Sequence, residues 1–242
     1  MSTTINKEEI QKFSKLADEW WDVNGKFKPL HMFNPIRIEY ITQKIKDHFS
    51  LSIQESAYLK GIKILDIGCG GGLISETMNR LGGSVSGIDA SKKNIEVAKI
   101  HALNNKLNID YQNKSPEQLE EKEAFDVILN LEIVEHVDNV QLYINSCKKL
   151  LKKNGIMFTA TLNRTMVSYI KAIIGAEYIL RWLPIGTHDW NRFIRPEELE
   201  KLLSSENFSS IDINGFEFNF FNKKWRNSSN LAVNYIICSV KN

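Results

Sequence analysis

Apolar residues recur every three or four positions over residues 6–22 and again over residues 35–49. The first set is Ile10, Phe13, Leu16, Ala17, Trp20 and Trp21, and the second is Ile36, Tyr40, Ile41 and Ile45. This spacing puts each set on one face of an α-helix, so the pattern predicts two amphipathic helices. Residues 25–31, between them, show no period and are predicted to form a loop. Arg37 lies near the start of the second helix, and periodicity alone predicts that it is a solvated surface charge.

From residue 62 onward, short apolar runs alternate with helical patterns. The runs cover residues 62–67, 84–88, 109–112, 125–129 and 156–161. This alternation is typical of βαβ units, so it predicts an α/β fold in which helices cover both faces of a mostly parallel sheet. A helix over residues 196–203, an extended run over 211–221 and a last strand over 231–238 complete the pattern. Ligands of such sheets bind outside the carboxyl ends of the strands.

The first of these runs ends in a cluster of glycines that includes Gly68, Gly70 and Gly72, with Asp66 two residues before the first. The spacing differs from the dinucleotide fingerprint G-x-G-x-x-G, whose third glycine would fall on Leu73. Glycine permits a left-handed backbone and the close approach of a flat ligand, so the turn is predicted to hold a nucleotide. The second run ends at Asp89, where an acid commonly binds ribose hydroxyls. Together the turn and the two acids resemble the S-adenosylmethionine (SAM) site of class I methyltransferases; the alternative is a glycine-rich turn that binds nothing.

Composition limits the classes of partner. The 242 residues include 31 basic and 29 acidic side chains, a formal charge of +2, and this near-balance argues against a nucleic-acid partner. The three cysteines have no metal-type spacing and no signal-peptide pattern begins the chain, which favours a reducing, cytoplasmic location. No apolar run is long enough to span a bilayer.

Residues 163–190 interrupt the alternation. Over residues 166–183 the segment is mostly apolar, and its charged side chains Lys171, Glu177 and Arg181 fall within an arc of roughly 120° on a helical wheel. The rest of the helix surface is apolar and has to be shielded from water. The segment either packs on its own domain or lies in a membrane interface with its basic residues at anionic headgroups.

Several motifs outside the glycine turn are similar to those of one family, the bacterial ubiquinone-biosynthesis O-methyltransferases. They occur at residues 20–22, 27–31, 34–37, 131–137, 161–164, 175–181, 186–189 and 193–199, so the resemblance covers almost all of residues 13–203. Residues 216–230 match the family poorly. The resemblance implies a class I, Rossmann-like methyltransferase with a mostly parallel seven-stranded sheet, a helical extension over 1–60, a SAM-binding core over 61–162, an amphipathic insertion over 163–190 and closing elements over 191–242.

The resemblance also implies the reaction and part of the site. The family methylates the phenolic hydroxyls of 2-polyprenyl-6-hydroxyphenol and of 3-demethylubiquinol. Arg37, Gly68, Asp89 and Leu131 match its cofactor-contacting positions, so Arg37 is expected to pair with the methionine carboxylate of SAM, against the interpretation from periodicity. Asp66 and Gly70 join this set from the turn pattern. Peripheral attachment to the inner membrane through residues 166–183, and association with other enzymes of the quinone pathway, are further expectations.

Glu132, Glu135 and His136 follow the strand over 125–129 and are the candidates for chemistry at the acceptor oxygen. A free phenol has a pKa near 10, so its deprotonation at neutral pH needs a base or a divalent cation. In mitochondrial relatives the matching residues are proposed ligands of Mg²⁺, although this hard cation prefers oxygen ligands and His136 is equally a candidate base, with Glu135 beside it. The alternative is that this segment is architectural.

Two rival functions remain at this stage. One is a SAM-dependent methyltransferase acting on tRNA or on another small molecule. The other is a SAM-binding, membrane-docked scaffold without catalytic activity.

Overall fold

The computed structural model describes residues 3–52, 57–170, 189–219 and 222–242 of the chain. Its helices alternate with strands through the central part of the chain, as the apolar pattern predicts. The helices are α1 (Lys7–Ser14), α2 (Lys28–Phe49), α3 (Leu73–Arg80), α4 (Lys92–Asn104), α5 (Val140–Leu150), α6 (Met166–Ser168) and α7 (Pro196–Ser205). Within the described residues, no helix has the length and apolarity needed to cross a membrane.

The described strands form one sheet. They are β1 (Lys63–Ile67), β2 (Ser84–Ile88), β3 (Asp110–Gln112), β4 (Phe125–Leu131), β5 (Leu151–Leu162), β6 (Phe208–Asn219), β7 (Lys224–Ser228) and β8 (Asn234–Lys241). Their spatial order is β3-β2-β1-β4-β5-β8-β6-β7. The first five strands pair in parallel, whereas β8 pairs antiparallel with β5 and β6, and β7 pairs antiparallel with β6.

The expected count of seven strands is wrong, because the described residues form eight. The additional strand is β7, which pairs with the second half of β6 from Gly215↔Ser228 to Asn219↔Lys224. It lies in the stretch that matches the family motifs poorly. Strands β6 and β7 therefore form a hairpin that adds an edge strand to the sheet, and no family motif in this stretch predicts that strand.

The strand order reverses between β1 and β4. The chain moves outward from β1 to β2 and β3, then returns to the other side of β1 to form β4. In parallel sheets this reversal opens a crevice outside the carboxyl ends of the two strands, and ligands bind there. The segments that follow β1, β2 and β4 are therefore brought together at one edge.

Side chains along β4 alternate between two apolar cores, as the two-residue repeat of a strand requires. Val127 and Leu129 pack with α2 and α3, for example against Ile41. Ile128 faces the opposite layer, where it packs in a core with Tyr143 of α5 and Leu199 of α7. The expectation of helices on both faces is confirmed by this layering.

The amino-terminal region differs from its predicted elements. The helix expected over residues 6–22 ends at Ser14, and α2 begins at Lys28, so the predicted loop over residues 25–31 is wrong for its second half. Pro29 occupies the first turn of α2, where a missing backbone N–H costs no hydrogen bond, and Pro35 lies inside the helix. The first helix stops early because Trp20 and Trp21 turn towards the glycine-rich turn instead of continuing a helical face.

Candidate active site

The glycine-rich turn joins β1 to α3 and has the backbone that its spacing predicts. Gly68, Gly70 and Gly72 have φ angles of 69°, 54° and 91°, all in the left-handed region. At Gly70 the lack of a side chain is also a packing requirement, because an added Cβ would lie 2.3 Å from Cζ2 of Trp20. The space left by the missing side chain is filled by the protein's own aromatic ring. Glycine here therefore serves the packing of the turn as well as its backbone conformation.

Asp89, at the end of β2, fixes the position of this turn. Its carboxylate accepts hydrogen bonds from the backbone amides of Gly70 at 3.0 Å and Ser91 at 2.7 Å, and from the side chain of Asn94 at 3.3 Å. Asn94 in turn accepts a hydrogen bond of 3.1 Å from the indole of Trp20. Burial raises the pKa of Asp89 above its usual value. A chain of hydrogen bonds thus links the acid, the turn and the tryptophan beside it.

Asp66 lies on β1 beneath the turn and is 3% exposed. It accepts a hydrogen bond of 2.5 Å from the Ser75 hydroxyl. Burial raises its pKa to about 6, although the Ser75 hydrogen bond and the charge of Arg37 act in the opposite direction. Asp66 is therefore a buried acid that titrates near the physiological range.

Arg37 is 3% exposed, so the interpretation of it as a solvated surface charge is wrong. One guanidinium nitrogen lies 3.3 Å from a carboxylate oxygen of Glu132, and another donates a hydrogen bond of 2.7 Å to Asn34. The remaining nitrogen, Nε, is buried without a hydrogen-bond partner among the described residues. Burial lowers the pKa of Arg37, whereas Glu132 and Asp66 raise it. A buried guanidinium with a spare donor can hold a carboxylate ligand.

The segment after β4 carries the three candidate catalytic residues, and their side chains point to different partners. Glu132 has a left-handed φ of 60° and pairs with Arg37. Glu135 is 4% exposed and accepts a hydrogen bond of 2.8 Å from Thr161, and its pKa is raised by burial and by the neighbouring Glu132 charge. His136 contacts Glu9, with its Nδ1 atom 2.8 Å from Oε2.

These three residues do not fit the predicted Mg²⁺ site. A hard cation needs oxygen ligands that converge on one point, whereas Glu132 pairs with Arg37, Glu135 accepts a hydrogen bond from Thr161 and His136 faces Glu9. Across the described part of the chain, no group of three or more His, Cys, Asp or Glu side chains is arranged to hold a metal ion. The left-handed backbone at Glu132 and the 3₁₀ turn over Val134–His136 separate side chains that are adjacent in sequence.

Most of these groups line one cavity of about 1000 Å³. At one end lie Asp66, Gly68 and Asp89, and Arg37, Leu131 and the segment 132–137 also contribute to its wall. Four aromatic side chains, Phe33, Phe216, Phe218 and Trp225, line another part. The rings of Phe33 and Trp225 lie 4.6 Å apart. Ligand pockets span roughly 300–1,000 Å³, so this cavity is at the upper end of that range.

The structure thus brings five of the six residues predicted for the cofactor site to one cavity, namely Arg37, Asp66, Gly68, Asp89 and Leu131, whereas Gly70 is not part of the cavity wall and packs against Trp20. Other residues line the cavity for which no sequence pattern indicated a role. Glu9 and Phe13 of α1 line the cavity, although their pattern indicates only an amphipathic helix, and Trp225 lies in the stretch that lacks family motifs. The tryptophan pair at residues 20–21 is the only local signal that could have pointed to the wall around the glycine turn.

Comparison with known proteins agrees with this geometry. A family model described as a methyltransferase domain matches residues 37–212. The chain is 59% identical to the ubiquinone biosynthesis O-methyltransferase of Pelagibacter ubique (strain HTCC1062) over 99% of both chains. It is 53% identical to the enzyme of that name from Bartonella bacilliformis, over 97% of this chain and 95% of the relative.

Solved structures support the fold at low sequence identity. Magnesium protoporphyrin IX methyltransferase from Synechocystis PCC 6803, solved with bound SAM, superposes with a TM-score of 0.62 at 14% identity over 100% of both chains. A SAM-dependent methyltransferase from Aquifex aeolicus gives 0.61 at 12% identity, over 96% of this chain and 97% of that one. The class I methyltransferase fold and its cofactor SAM are confirmed. By its near-full-length identity to these relatives, the chain belongs to the family of ubiquinone biosynthesis O-methyltransferases, which are SAM-dependent enzymes.

Proposed function

We propose that this protein methylates the phenolic hydroxyls of 2-polyprenyl-6-hydroxyphenol and of 3-demethylubiquinol. The observation that carries the proposal is the single cavity that joins Asp66, Gly68 and Asp89 to an aromatic wall. The acids and the glycine turn suit a nucleoside with charged groups, whereas the aromatic wall suits a flat, apolar ring with a prenyl tail.

For the cofactor we assign Arg37, Asp66, Gly68, Gly70, Asp89 and Leu131. Arg37 has a buried nitrogen that is free to donate to the methionine carboxylate. Asp89 accepts three hydrogen bonds from the protein, and because a carboxylate has about four acceptor positions, it can also bind a ribose hydroxyl. When bound, SAM supplies a methyl group that its positive sulfur already activates.

The chain then has to orient the phenol and remove its proton. We assign the proton to Nε2 of His136, since Nδ1 faces Glu9 and the ring lines the cavity. Glu135, the other residue predicted to be catalytic, is buried and accepts a hydrogen bond from Thr161, and burial raises its pKa. The phenol oxygen that loses its proton to His136 would form the new bond to the methyl carbon while the bond between that carbon and the sulfur of SAM breaks, and the sulfur would keep the electron pair as a neutral thioether. Base catalysis of this kind contributes roughly a hundredfold to ten-thousandfold.

The base assignment is tested by His136→Ala, with His48→Ala as the control. His48 lies near the end of α2, where its Nε2 contacts the backbone of Asn154, and it is not part of the cavity wall. We expect His136→Ala to lower kcat by about a hundredfold or more while the Kd for SAM stays nearly unchanged, and EDTA to leave wild-type activity intact. If His136→Ala lost both SAM binding and thermal stability, the result would instead support an architectural role for His136. If EDTA abolished wild-type activity, the result would support a metal site.

The acceptor is tested with radiolabelled SAM and three alternatives, namely a short-chain prenylated catechol, bulk tRNA and no acceptor. Label in the catechol alone supports the proposal. Label in tRNA would favour the rival methyltransferase activity. SAM binding without transfer to any acceptor would favour the scaffold.

We also propose that the enzyme works at the cytoplasmic surface of the inner membrane, attached through residues 166–183. Of this segment only residues 166–170 are described, and they expose apolar side chains. Met166 is 64% exposed, Val167 is 41% exposed and Ile170 is 54% exposed. A prenyl tail that stays in the bilayer avoids about 0.8 kcal/mol of exposure for each CH₂ group. A surface helix beside the cavity would let the enzyme reach the head group while the tail stays in lipid.

Sedimentation with liposomes that contain phosphatidylglycerol tests this attachment at low salt. The variant Met166→Glu with Val167→Glu should sediment less than the wild type and still methylate a short-chain catechol. The matched control is Ile100→Glu with Leu103→Glu, since these side chains of α4 are 61% and 76% exposed. Wild-type protein that stays in the supernatant would contradict the attachment. Association with other enzymes of the pathway stays a prediction.

A further inference from the structure

We infer that Glu9 is a positioning residue, which holds His136 in the tautomer and orientation needed to take the proton of the acceptor. The inference rests on the proposed function, in which His136 is the base. Glu9 lies on α1, 127 positions before His136 in the chain, yet its Oε2 is 2.8 Å from Nδ1 of the imidazole. Glu9 would act through the histidine, without touching the substrate itself.

The chemistry of the pair fixes the location of the proton. An ionised carboxylate only accepts hydrogen bonds, so Nδ1 of a neutral His136 must carry the hydrogen and Nε2 is left with a free lone pair. The other carboxylate oxygen of Glu9 lies 2.7 Å from the ammonium of Lys12, and a glutamate paired with a cation is ionised at neutral pH. The same division of roles lets the aspartate of a serine-protease triad orient its histidine.

The orientation of the imidazole is fixed from a second side by the same helix. The ring of Phe13 meets that of His136 edge to face, with centroids 5.3 Å apart and planes at 82°. Glu9 and Phe13 are four residues apart, so both project from one face of α1. The side chains of Glu9 and His136 are only 15% and 16% exposed. A hydrogen bond that is largely shielded from water orients its partner more strongly than one on the surface.

The carboxylate and its helix are themselves held in place. The second oxygen of Glu9 pairs with Lys12 at 2.7 Å. At the start of α1, the side chain of Asn6 donates a hydrogen bond of 2.7 Å to Asp138, and the backbone amide of Asp138 donates to the carbonyl of Thr4 at 3.1 Å. Asp138 is two residues after His136, so the segment that carries the histidine is tied directly to the start of the helix.

A purely structural ion pair between α1 and the core is the competing explanation, and the two differ in what they predict for Glu9→Gln. Gln and Glu have similar helix propensity, so the variant should fold. In the variant the amide oxygen should stay with Lys12, which donates to the other carboxylate oxygen of Glu9, so the amide NH₂ faces Nδ1. Donation to Nδ1 favours the tautomer with hydrogen on Nε2, which can no longer accept a proton. The structural explanation predicts only a change in stability.

The experiment measures kcat, KM and the tautomer of His136 by nitrogen-15 NMR in four proteins. These are the wild type, Glu9→Gln, Glu9→Asp and the matched control Glu8→Gln, whose side chain is on the exposed face of the same helix. We expect Glu9→Gln to lower kcat by about tenfold to a hundredfold, with KM for SAM within about twofold and hydrogen shifted to Nε2. Glu9→Asp should recover part of kcat and of the Nδ1–H tautomer, and Glu8→Gln should match the wild type.

Wild-type kcat and an unchanged tautomer in Glu9→Gln would overturn the inference. A drop in thermal stability with unchanged kcat would also overturn it, in favour of the structural ion pair. Failure of the underlying function is distinguishable, because wild-type protein would then leave the catechol unlabelled, and failure of the base assignment would appear as full turnover in His136→Ala.

Discussion

The contact between Trp20 and the glycine turn gives a prediction whose size follows from the structure. In Gly71→Ala, the new Cβ would lie 2.4 Å from Cβ and 2.5 Å from Cγ of Trp20, so the indole has to move by about 1 Å to reach ordinary contact. That movement breaks its 3.1 Å hydrogen bond to Asn94, which contributes about 1 kcal/mol. It also disturbs the stacking on Phe27, whose ring centroid is 3.9 Å away, at a cost of about 0.5–1.5 kcal/mol.

Gly71 has no left-handed backbone, so alanine there regains about 0.4–1 kcal/mol by restricting the unfolded chain. The net loss in the free energy of unfolding should therefore be roughly 1–2 kcal/mol, as measured by urea denaturation. In a Trp20→Gly background the obstacle is absent, because both the Cβ and the indole are removed. There, Gly71→Ala should be slightly stabilising, which gives a coupling energy of about 1.5–2.5 kcal/mol, the sum of the two contact terms.

Substitution of a second glycine, Gly61, measures backbone strain in the absence of a clash. Gly61 has a φ of 88° and no atom within 4 Å of an added Cβ, so Gly61→Ala measures strain alone, about 1–2 kcal/mol. Its effect should be the same with and without Trp20. Additive effects of Gly71→Ala and Trp20→Gly would contradict this, because they would mean that the side chain of Trp20 does not occupy the space beside the turn.

Three further predictions concern ligand binding and pH. Asp89→Ala should weaken SAM binding by about 1.5–3 kcal/mol in calorimetry, since ribose hydroxyls lose an acceptor, and an unchanged Kd in a folded variant would remove Asp89 from the site. The pKa of Asp66 is raised to about 6 from 3.8 in the unfolded chain, so the folded protein favours the protonated form. Relative to Asp66→Asn, the wild type should therefore lose roughly 3 kcal/mol of stability as pH rises from about 4 to about 6, and a difference that is independent of pH would contradict this. Trp225→Ala should raise KM for the prenylated catechol about fivefold or more with the Kd for SAM unchanged, since one aromatic contact is worth about 1 kcal/mol, and an equal loss for both ligands would contradict an acceptor wall.

The features that sequence predicted correctly depend on local signals. Strand, turn and helix around Gly68 and Gly70 follow from a short apolar run, glycines and helical spacing within about fourteen residues. Asp66 and Asp89 lie at strand ends, and parallel strands place these ends at one edge of the sheet. Arg37 is different, because its burial depends on what α2 packs against. Periodicity alone gave the wrong result for it, and only resemblance to the family corrected it.

The features that sequence missed depend on contacts between distant segments. Nothing near Glu9 distinguishes it from Glu8, because its role arises only when α1 packs over the segment after β4. Resemblance to mitochondrial relatives suggested a metal site at Glu132, Glu135 and His136, but the local backbone turns these side chains apart. Strand β7 was missed because residues 216–230 follow no family motif, and pairing with β6 decides their structure.

The central claim is that this cavity transfers a methyl group to a phenolic oxygen, and the bond that forms tests it directly. Wild-type protein is incubated with SAM labelled with carbon-13 in its methyl group and a short-chain prenylated catechol, in the presence of EDTA, and the product is analysed by NMR. We expect the labelled carbon to be in a methoxy group on the ring, and we expect His136→Ala to form at least about a hundredfold less of this product in the same time. A labelled methyl on ring carbon, or no product with a catechol that demonstrably binds, would contradict it.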